Sequence, residues 1–516
     1  MKTLVTYEVA DDIGIIAVAN PPVNALGRAV RAGLLEAIER FADDDDASVA
    51  IILGEGRLFL GGADISEFGK PPQAPSLPEV VAAIEAAPKP VLAAIHGAAL
   101  GGGLEVALGC HWRMAMPGTK LGLPEVTLGI LPGAGGTQRL PRLIGLEAAG
   151  GMIASGKPVG SDAADKMGLI DRLGSGDLRD DARAFAAEIK GRSPRRTRDL
   201  PAPEGDLSDL RTKTAARTAG QVAPVTALDA VAASTGRDFD AGLAEERRLF
   251  LDLMETPQRA GLIHAFFTDR AVSKVPGLSD VAPREIRHVG IVGGGTMGSG
   301  IATTCLLAGL HVTLVERDVA AADRAAATIG RNLDAAVARG KLAATKRADL
   351  SFATATEYGA LAKADLAVEA VFESLEVKRE VFTALDAVMK PSAILATNTS
   401  YLDVNAVAAA TARPADVIGL HFFSPAHVMK LLEIVVADAT APDVVATGFA
   451  LAKRLGKIGV RAGVCDGFIG NRILSAYRRA ADDMVLDGAS PYDIDRAIRG
   501  FGFPMGPYQV SDLAGL

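Results

Sequence analysis

The stretch HVGIVGGGTMGSGIATTCLLAGLHVTLVERD, beginning at His288, restricts the fold of this chain more than any other. An apolar run, Val289 to Val292, meets Gly293-Gly294-Gly295-Thr296-Met297-Gly298. A helical segment to Leu307 follows, and a second apolar run ends at Glu316. A lone GxGxxG says little. One that follows a strand, opens a helix and is answered about twenty residues on by an acid at the end of the next strand is a dinucleotide-binding unit. Gly293 makes the turn, Gly295 lets a pyrophosphate approach, and Gly298 allows close helix packing. Glu316 suits the adenosine ribose hydroxyls and repels a 2'-phosphate, favouring NAD over NADP; Arg317 beside it is the one feature against.

The first half holds a second informative stretch, from Val91 to Leu143. Val91 to Ile95 reads as a buried strand, Gly101 to Gly103 break it, and LEVALGC begins an apolar helix, so free amides near Gly102 sit at a helix N-terminus and suit a developing oxyanion. Glu105 lies in the first turn of that helix, and Glu125 follows Pro124 in LGLPEVTLGI. Apolar neighbours desolvate both and push a carboxyl pKa up. Either alone reads equally well as a helix-end charge or a loop surface residue. Beside an amide-lined pocket they make an acid/base pair.

These two stretches need separate cores. At about 150 residues per domain, the 516 residues make three or so units. A net charge of -8 offers no general attraction to nucleic acid. Cys110, Cys305 and Cys465 are odd in number and far apart, as expected of reduced thiols rather than a disulfide frame or a metal centre. The acids Glu8, Asp11 and Asp12 stand where a signal peptide would need apolar residues. Val91 to Cys110 approaches membrane length but carries His96 and Glu105, so no membrane span is expected. The C-terminal AGL is no peroxisomal address, and a cytoplasmic location is expected.

GGADI at Gly61 to Ile65, HGAALGGGLEVAL at His96 to Leu108 and LPEVTLGILPGAGGTQRLPRLIG at Leu123 to Gly145 resemble the enoyl-CoA hydratase (crotonase) family over about the first 190 residues. The resemblance implies a crotonase-like ββα spiral. In it, Glu105 and Glu125 hold and activate a water, Glu125 gives the proton to C2 of an enoyl chain, and the amides of Ala63 and Gly102 bind the thioester oxygen. The same position of Glu125 serves double-bond isomerases, so a delta3-delta2-enoyl-CoA isomerase activity is a further expectation.

Beyond the glycine loop, His421 ends an apolar strand and Glu433 lies twelve residues on in a returning apolar strand, a geometry that sets carboxylate against imidazole. An imidazole oriented by a carboxylate is a base suited to neutral pH. ADLAVEAVFESLEVKREVF, ILATNTSYLDV, IGLHFFSPAHVMKLLEIV and DGFIGNRIL occur in order and resemble the 3-hydroxyacyl-CoA dehydrogenase family from about residue 286 to the end. That resemblance implies His421 as base and Glu433 as its orienting partner. Ser400 and Asn471 would position substrate and cofactor, and Met297, Glu373, Lys378 and Ser424 would contact NAD.

The expected organisation is α/β. A crotonase-like domain spans 1–190 and a linker with helices packing on the hydratase core spans 191–284. A Rossmann NAD-binding domain follows over 285–466, with a partial all-helical dehydrogenase C-terminal domain over 467–516. Phe68 to Pro78 reads as a loop over the acyl chain, Arg192 to Asp209 as an aperiodic linker, and His264 as a packed core histidine. The expected function is fatty-acid beta-oxidation on acyl-CoA substrates, hydration followed by oxidation with NAD and without a metal. A thiolase, or a subunit completing the helical domain, is the expected protein partner. One alternative keeps only the hydratase or isomerase active, because the helical domain is short. Another is a CoA- and NAD-binding module without turnover, against which Glu105, Glu125, His421 and Glu433 argue.

Overall fold

A computed structural model describes residues 3–514 except Phe68, Pro72, Ala219, Arg237 and Ser273. The chain divides into two compact units, Met1–Phe266 and Phe267–Leu516.

In the first unit the strands Val5–Ala10, Ile13–Val18, Val49–Gly54, Val91–Ile95, Trp112–Ala115 and Arg172–Leu173 form one sheet in that order. Only the first pair is antiparallel. Val49–Gly54 and Val91–Ile95 are buried along their whole length, which is why they read as continuous apolar runs rather than alternating ones. A small second sheet joins Ala98–Leu100, Lys120–Gly122 and Val159–Gly160. It carries the chain from the end of the Val91–Ile95 strand to the Gly102–Gly109 helix, so the glycine triplet lies at the carboxyl edge of the main sheet.

Part of the expected acyl-chain loop, Phe68 and Pro72, lies outside the described residues. The described remainder ends earlier than Pro78: Ser76 caps the Leu77–Ala86 helix with Glu79 in a reciprocal capping box. The aperiodic 192–209 segment is tied to the core, the Thr197 hydroxyl donating to the Leu108 carbonyl at 3.1 Å. The helical stretch after residue 238 is two helices, Phe239–Met254 and Pro257–Ala271, parted just before Pro257. His264 is exposed on the second, not packed in a core as its apolar neighbours implied, because that helix buries little of its surface.

The second unit is built on an eight-stranded sheet. Its order is Phe352–Ala355, His311–Val315, His288–Val292, Leu366–Glu369, Ile394–Thr397, Val417–Phe422, Leu431–Val436 and Ile458–Gly463. The first six run parallel, and Val417–Phe422 pairs antiparallel with Leu431–Val436. Strand order reverses beside His288–Val292, the kind of crevice in which doubly wound sheets take their ligands. Apolar clusters cover both faces, one around Ile291, Leu314 and Ile434, the other around Phe382, Leu395 and Val435. The helices Gly470–Leu486, Pro491–Phe501 and Pro507–Ala514 follow, with Ile473, Leu486, Tyr492 and Phe501 exposed.

Candidate functional site

Each unit brings its expected pair of residues together. In the first, Gly101 takes a φ of 54°, a conformation open to glycine, and caps the Gly102–Gly109 helix. A Cβ at Gly102 would stand 2.5 Å from Leu77 Cδ2 and 3.5 Å from the Ala63 amide nitrogen, so the two expected oxyanion donors are neighbours. Among the described residues neither amide donates to a backbone carbonyl.

Glu105, 3 % exposed, accepts on Oε1 from the amides of Ala134 at 2.7 Å and Gly136 at 2.9 Å. Burial raises its pKa; those two amides and the nearby Arg139 guanidinium oppose the rise. Arg139 is itself held in a sealed ion pair with Glu85 at 2.6 Å. Glu125 opens a single 3-10 turn, Glu125–Leu128, and a Cβ on Gly101 would lie 2.9 Å from its Oε1. Its Oε2 is shut off from solvent with no hydrogen-bond partner among the described residues. Burial first, then the charges of Glu105 and Glu246, push its pKa well above the ordinary carboxyl value. Glu105 is thus the carboxylate with amide donors, and Glu125, which lacks them on Oε2, is the one whose surroundings favour the protonated form more strongly.

In the second unit His421 and Glu433 are direct partners in the antiparallel ladder, and His421 Nδ1 lies 2.6 Å from Glu433 Oε2. The other carboxylate oxygen accepts from the amides of Ile469 at 3.0 Å and Gly470 at 2.7 Å. Burial raises the Glu433 pKa, but the imidazole and these amides outweigh it and hold the group below its usual value. A fixed carboxylate on Nδ1 leaves Nε2 as the free ring nitrogen. The rings of Phe423 and Phe468 flank the imidazole, with centroids 4.5 and 5.7 Å away. Asn471 is the second residue of the helix whose first amide holds Glu433.

The glycine loop fits a dinucleotide. Gly293 has a φ of 91°, a Cβ on Gly298 would collide with the Gly293 carbonyl oxygen at 1.8 Å, and a Cβ on Gly295 would meet nothing within 4 Å. The turn, the tight packing and the open approach are thus divided among the three. Glu316 accepts from the amides of Gly294 at 2.6 Å and Arg317 at 3.0 Å, which leaves lone pairs for ribose hydroxyls. Met297 lies half-buried in the first turn of the Thr296–Leu307 helix, and Ser424 is exposed three residues after His421. Glu373 Oε1 accepts from the Thr399 hydroxyl at 2.5 Å and the Ser400 amide at 2.8 Å. Lys378, 1 % exposed, has its ammonium engaged by Glu369 at 2.7 Å and Glu373 at 3.2 Å. It therefore holds the ends of the Leu366–Glu369 and Ile394–Thr397 strands, Thr397 donating to the same Glu369 at 2.7 Å.

Residues 8–221 match the enoyl-CoA hydratase/isomerase family, 288–465 the NAD-binding domain of 3-hydroxyacyl-CoA dehydrogenase, and 467–516 the C-terminal domain of that dehydrogenase. A peroxisomal bifunctional enzyme of Danio rerio is 41% identical over 525 residues, covering 99% of this chain and 72% of its own length. The chain belongs to the bifunctional enoyl-CoA hydratase/3-hydroxyacyl-CoA dehydrogenase family. A peroxisomal fatty acid beta-oxidation multifunctional protein of Oryza sativa is 40% identical, covering 99% of this chain and 74% of its own. The solved (S)-3-hydroxybutyryl-CoA dehydrogenase of Ralstonia eutropha is 35% identical, covers 45% of this chain and 83% of its own, and has a TM-score of 0.44. As in its family, this chain combines a crotonase-like hydratase domain, a Rossmann-type NAD-binding domain and a helical dehydrogenase domain, and it works in fatty-acid beta-oxidation. With all three present, the alternative of an idle dehydrogenase half is not favoured. Among the described residues no helix is long and apolar enough to cross a membrane, and no three His, Cys, Asp or Glu side chains converge as metal ligands.

Several site residues escape the sequence reading. Glu369 and Asn398, whose side chain accepts from the Phe422 amide at 2.8 Å, brace the dehydrogenase strands from within. Glu246 accepts from the amides of Gly135 at 2.7 Å and Thr137 at 3.0 Å. Its one sequence signal is an acid on the apolar face of the Phe239–Met254 helix, where Leu249 and Leu253 are also buried.

Proposed function

We propose that Glu105 and Glu125 carry hydration, that His421 and Glu433 carry oxidation, and that the two act in succession on one acyl-CoA. The organisation behind this reading is a hydratase domain over 1–190, a linker with helices over 191–284, the NAD-binding domain over 285–466 and the helical domain over 467–516. The observation that supports it most is the orphaned, buried Glu125 Oε2, an acid without a hydrogen-bond partner among the described residues and in surroundings that favour its protonated form.

In hydration, ionised Glu105 takes a proton from water as the water oxygen bonds to C3 of the trans-2-enoyl thioester. Charge collects on the thioester oxygen, where the amides of Ala63 and Gly102 receive it. Glu125 then delivers its proton to C2, giving the (3S)-hydroxyacyl-CoA. One proton passing from Glu105 to Glu125 restores the pair. In oxidation, His421 Nε2 takes the 3-hydroxyl proton, and Glu433 holds the ring and stabilises its cationic form. Bound NAD would supply the acceptor for the hydride of C3. Gly293, Gly295 and Gly298 would hold its pyrophosphate and Glu316 its ribose, with Met297, Glu373, Lys378 and Ser424 around it. Ser400 and Asn471 position substrate beside the base.

A mixed assay tests this. Crotonyl-CoA should lose its enoyl-thioester absorbance without NAD, and NADH should appear once NAD is added. Hydration without NADH overturns the assignment of the second site, and binding without either signal overturns both.

The free thiols Cys110, Cys305 and Cys465 favour a reducing, cytoplasmic setting, whereas relatives carry peroxisomal names. Cell fractionation separates the two. A thiolase, which would cleave the 3-ketoacyl product, and a subunit lying over Ile473, Leu486 and Phe501 are the protein partners of this reading; co-purification tests both.

A further inference from the structure

Four consecutive amides of the 134–137 loop are shared out alternately between two carboxylates. Ala134 and Gly136 donate to Glu105 Oε1, at 2.7 and 2.9 Å. Gly135 donates to Glu246 Oε1 at 2.7 Å and Thr137 to Glu246 Oε2 at 3.0 Å, with the Thr137 hydroxyl on the same oxygen at 2.5 Å. Gly135, left-handed at a φ of 92°, caps the Gly136–Ile144 helix, and this turn into the helix splays the four amides to two sides, so the loop is a thin partition with an acid on each face.

Glu246 reaches this partition from 111 residues downstream of Gly135, on the Phe239–Met254 helix and beyond residue 221, where the match to the hydratase/isomerase family ends. The helix lies directly on the loop. A Cβ on Gly133 would meet the Phe250 ring at 2.7 Å, one on Gly135 would meet Leu243 Cδ2 at 3.1 Å, and one on Gly242 would meet Gln138 Oε1 at 2.2 Å.

Three donors need three acceptor sites, and a neutral side chain such as a second threonine plus a water would supply them without burying another ionisable group beside Glu105. Burying a third acid there is therefore informative. The charged groups facing this cluster are Glu105 on the 102–109 helix, Glu125 on its 3-10 turn, and Arg139 on the Gly136–Ile144 helix, the last bound to Glu85.

We propose that Glu246 is a positioning residue of the hydration site, clamping the 134–137 loop from behind so that Glu105 stays aimed at the water, and that the Phe239–Met254 helix is thereby part of that site rather than a spacer. This rests on the assignment of Glu105 and Glu125 as the hydrating pair. A second consequence is electrostatic. Burial, then the charge of Glu105, pushes the Glu246 carboxyl up to about 8, and its own charge helps hold the proton on Glu125. In alkaline solution, where Glu246 is ionised, Glu125 keeps its proton to higher pH than it would alone.

The test compares the full chain with its Glu246→Gln, Glu246→Asp and Glu105→Gln variants, assayed on crotonyl-CoA across pH and, separately, for NADH from 3-hydroxybutyryl-CoA. Glu246→Gln turns one acceptor into a donor facing an amide and removes the charge. The hydration kcat should fall about a hundredfold with KM little changed, a misaimed base rather than lost binding. The alkaline limb of the surviving activity should move about one pH unit lower. Glu246→Asp should lose kcat through its shorter reach yet keep the limb where it was, and it serves alone if the Gln variant does not fold. NADH formation should be untouched throughout. Full hydration with an unmoved limb in Glu246→Gln, or a loss of kcat with the limb unmoved, overturns the proposal. So does a shifted limb in Glu246→Asp. If Glu105→Gln still hydrates at the parent rate, it is the underlying pair assignment that fails instead.

Discussion

Glu125 and Glu433 are both glutamates in the candidate site of their unit, and their surroundings drive them in opposite directions. Glu125 has a sealed oxygen with no donor and other acids nearby, and its pKa rises well above the ordinary value. Glu433, fully buried, accepts from two amides and faces an imidazole at 2.6 Å, and its pKa falls. Burial alone does not separate an acid that donates a proton from one that steadies a cation. The kind of partner does: Glu246 accepts three hydrogen bonds and still rises to about 8 beside Glu105, whereas the imidazole helps bring Glu433 down. Glu105 lies between the two, with two amides and a distant guanidinium.

The contrast is broken most severely by removing the donated proton. Glu125→Gln should lower hydration by about two to four powers of ten and leave NADH formation from 3-hydroxyacyl-CoA intact. A parallel fall in both steps would mean one shared site. On the other side, Glu433→Gln keeps the shape but reverses a donor and an acceptor. It should cut oxidation about a hundredfold with hydration unchanged, measured by the same two assays. The glycine loop sharpens the comparison without touching either acid. Gly295→Ala should leave thermal unfolding as it was and weaken NAD binding about tenfold by calorimetry. Gly298→Ala, with its 1.8 Å collision against Gly293, should destabilise the second unit by about 1–3 kcal/mol.

The smallest effect is on stability against pH. For Glu246 the folded value of about 8 exceeds the ordinary 4.5, so the folded state holds the proton more firmly. Its stabilising contribution is complete below 4.5 and is lost as pH rises through 8. Glu433 is opposite in sign: its contribution is present above 4.5 and is lost as pH falls through its lowered value. The melting midpoint of the first unit should therefore drop between pH 5 and pH 8, and in Glu246→Gln that drop should shrink by about 2–4 °C.

What the sequence made legible is what is local. Glu105, Glu125 and the three loop glycines sit in short motifs whose neighbours dictate their backbone. His421 and Glu433 could be paired because two apolar runs joined by a short loop fold into adjacent strands, and the ladder sets them opposite one another. Glu246 was hidden because its partners lie 109 to 111 residues away: helical spacing to Leu249 and Leu253 puts it on the apolar face but says nothing of what it meets there. Lys378 had the converse problem. Its motif points to a contact with cofactor, while its burial between Glu369 and Glu373 depends on two strand ends brought together by the sheet. The apolar neighbours of His264 point to burial, yet it is exposed, since an apolar sequence neighbourhood does not require a covering surface.

The cross-strand placement of His421 and Glu433 has a consequence for how the dehydrogenase half comes of age. Sliding either strand by a single residue would throw one partner to the far side of the sheet. Oxidation of 3-hydroxyacyl thioesters is therefore a fidelity check on hairpin alignment. A refolding population that has collapsed out of step stays silent in that assay, however native its helix content looks.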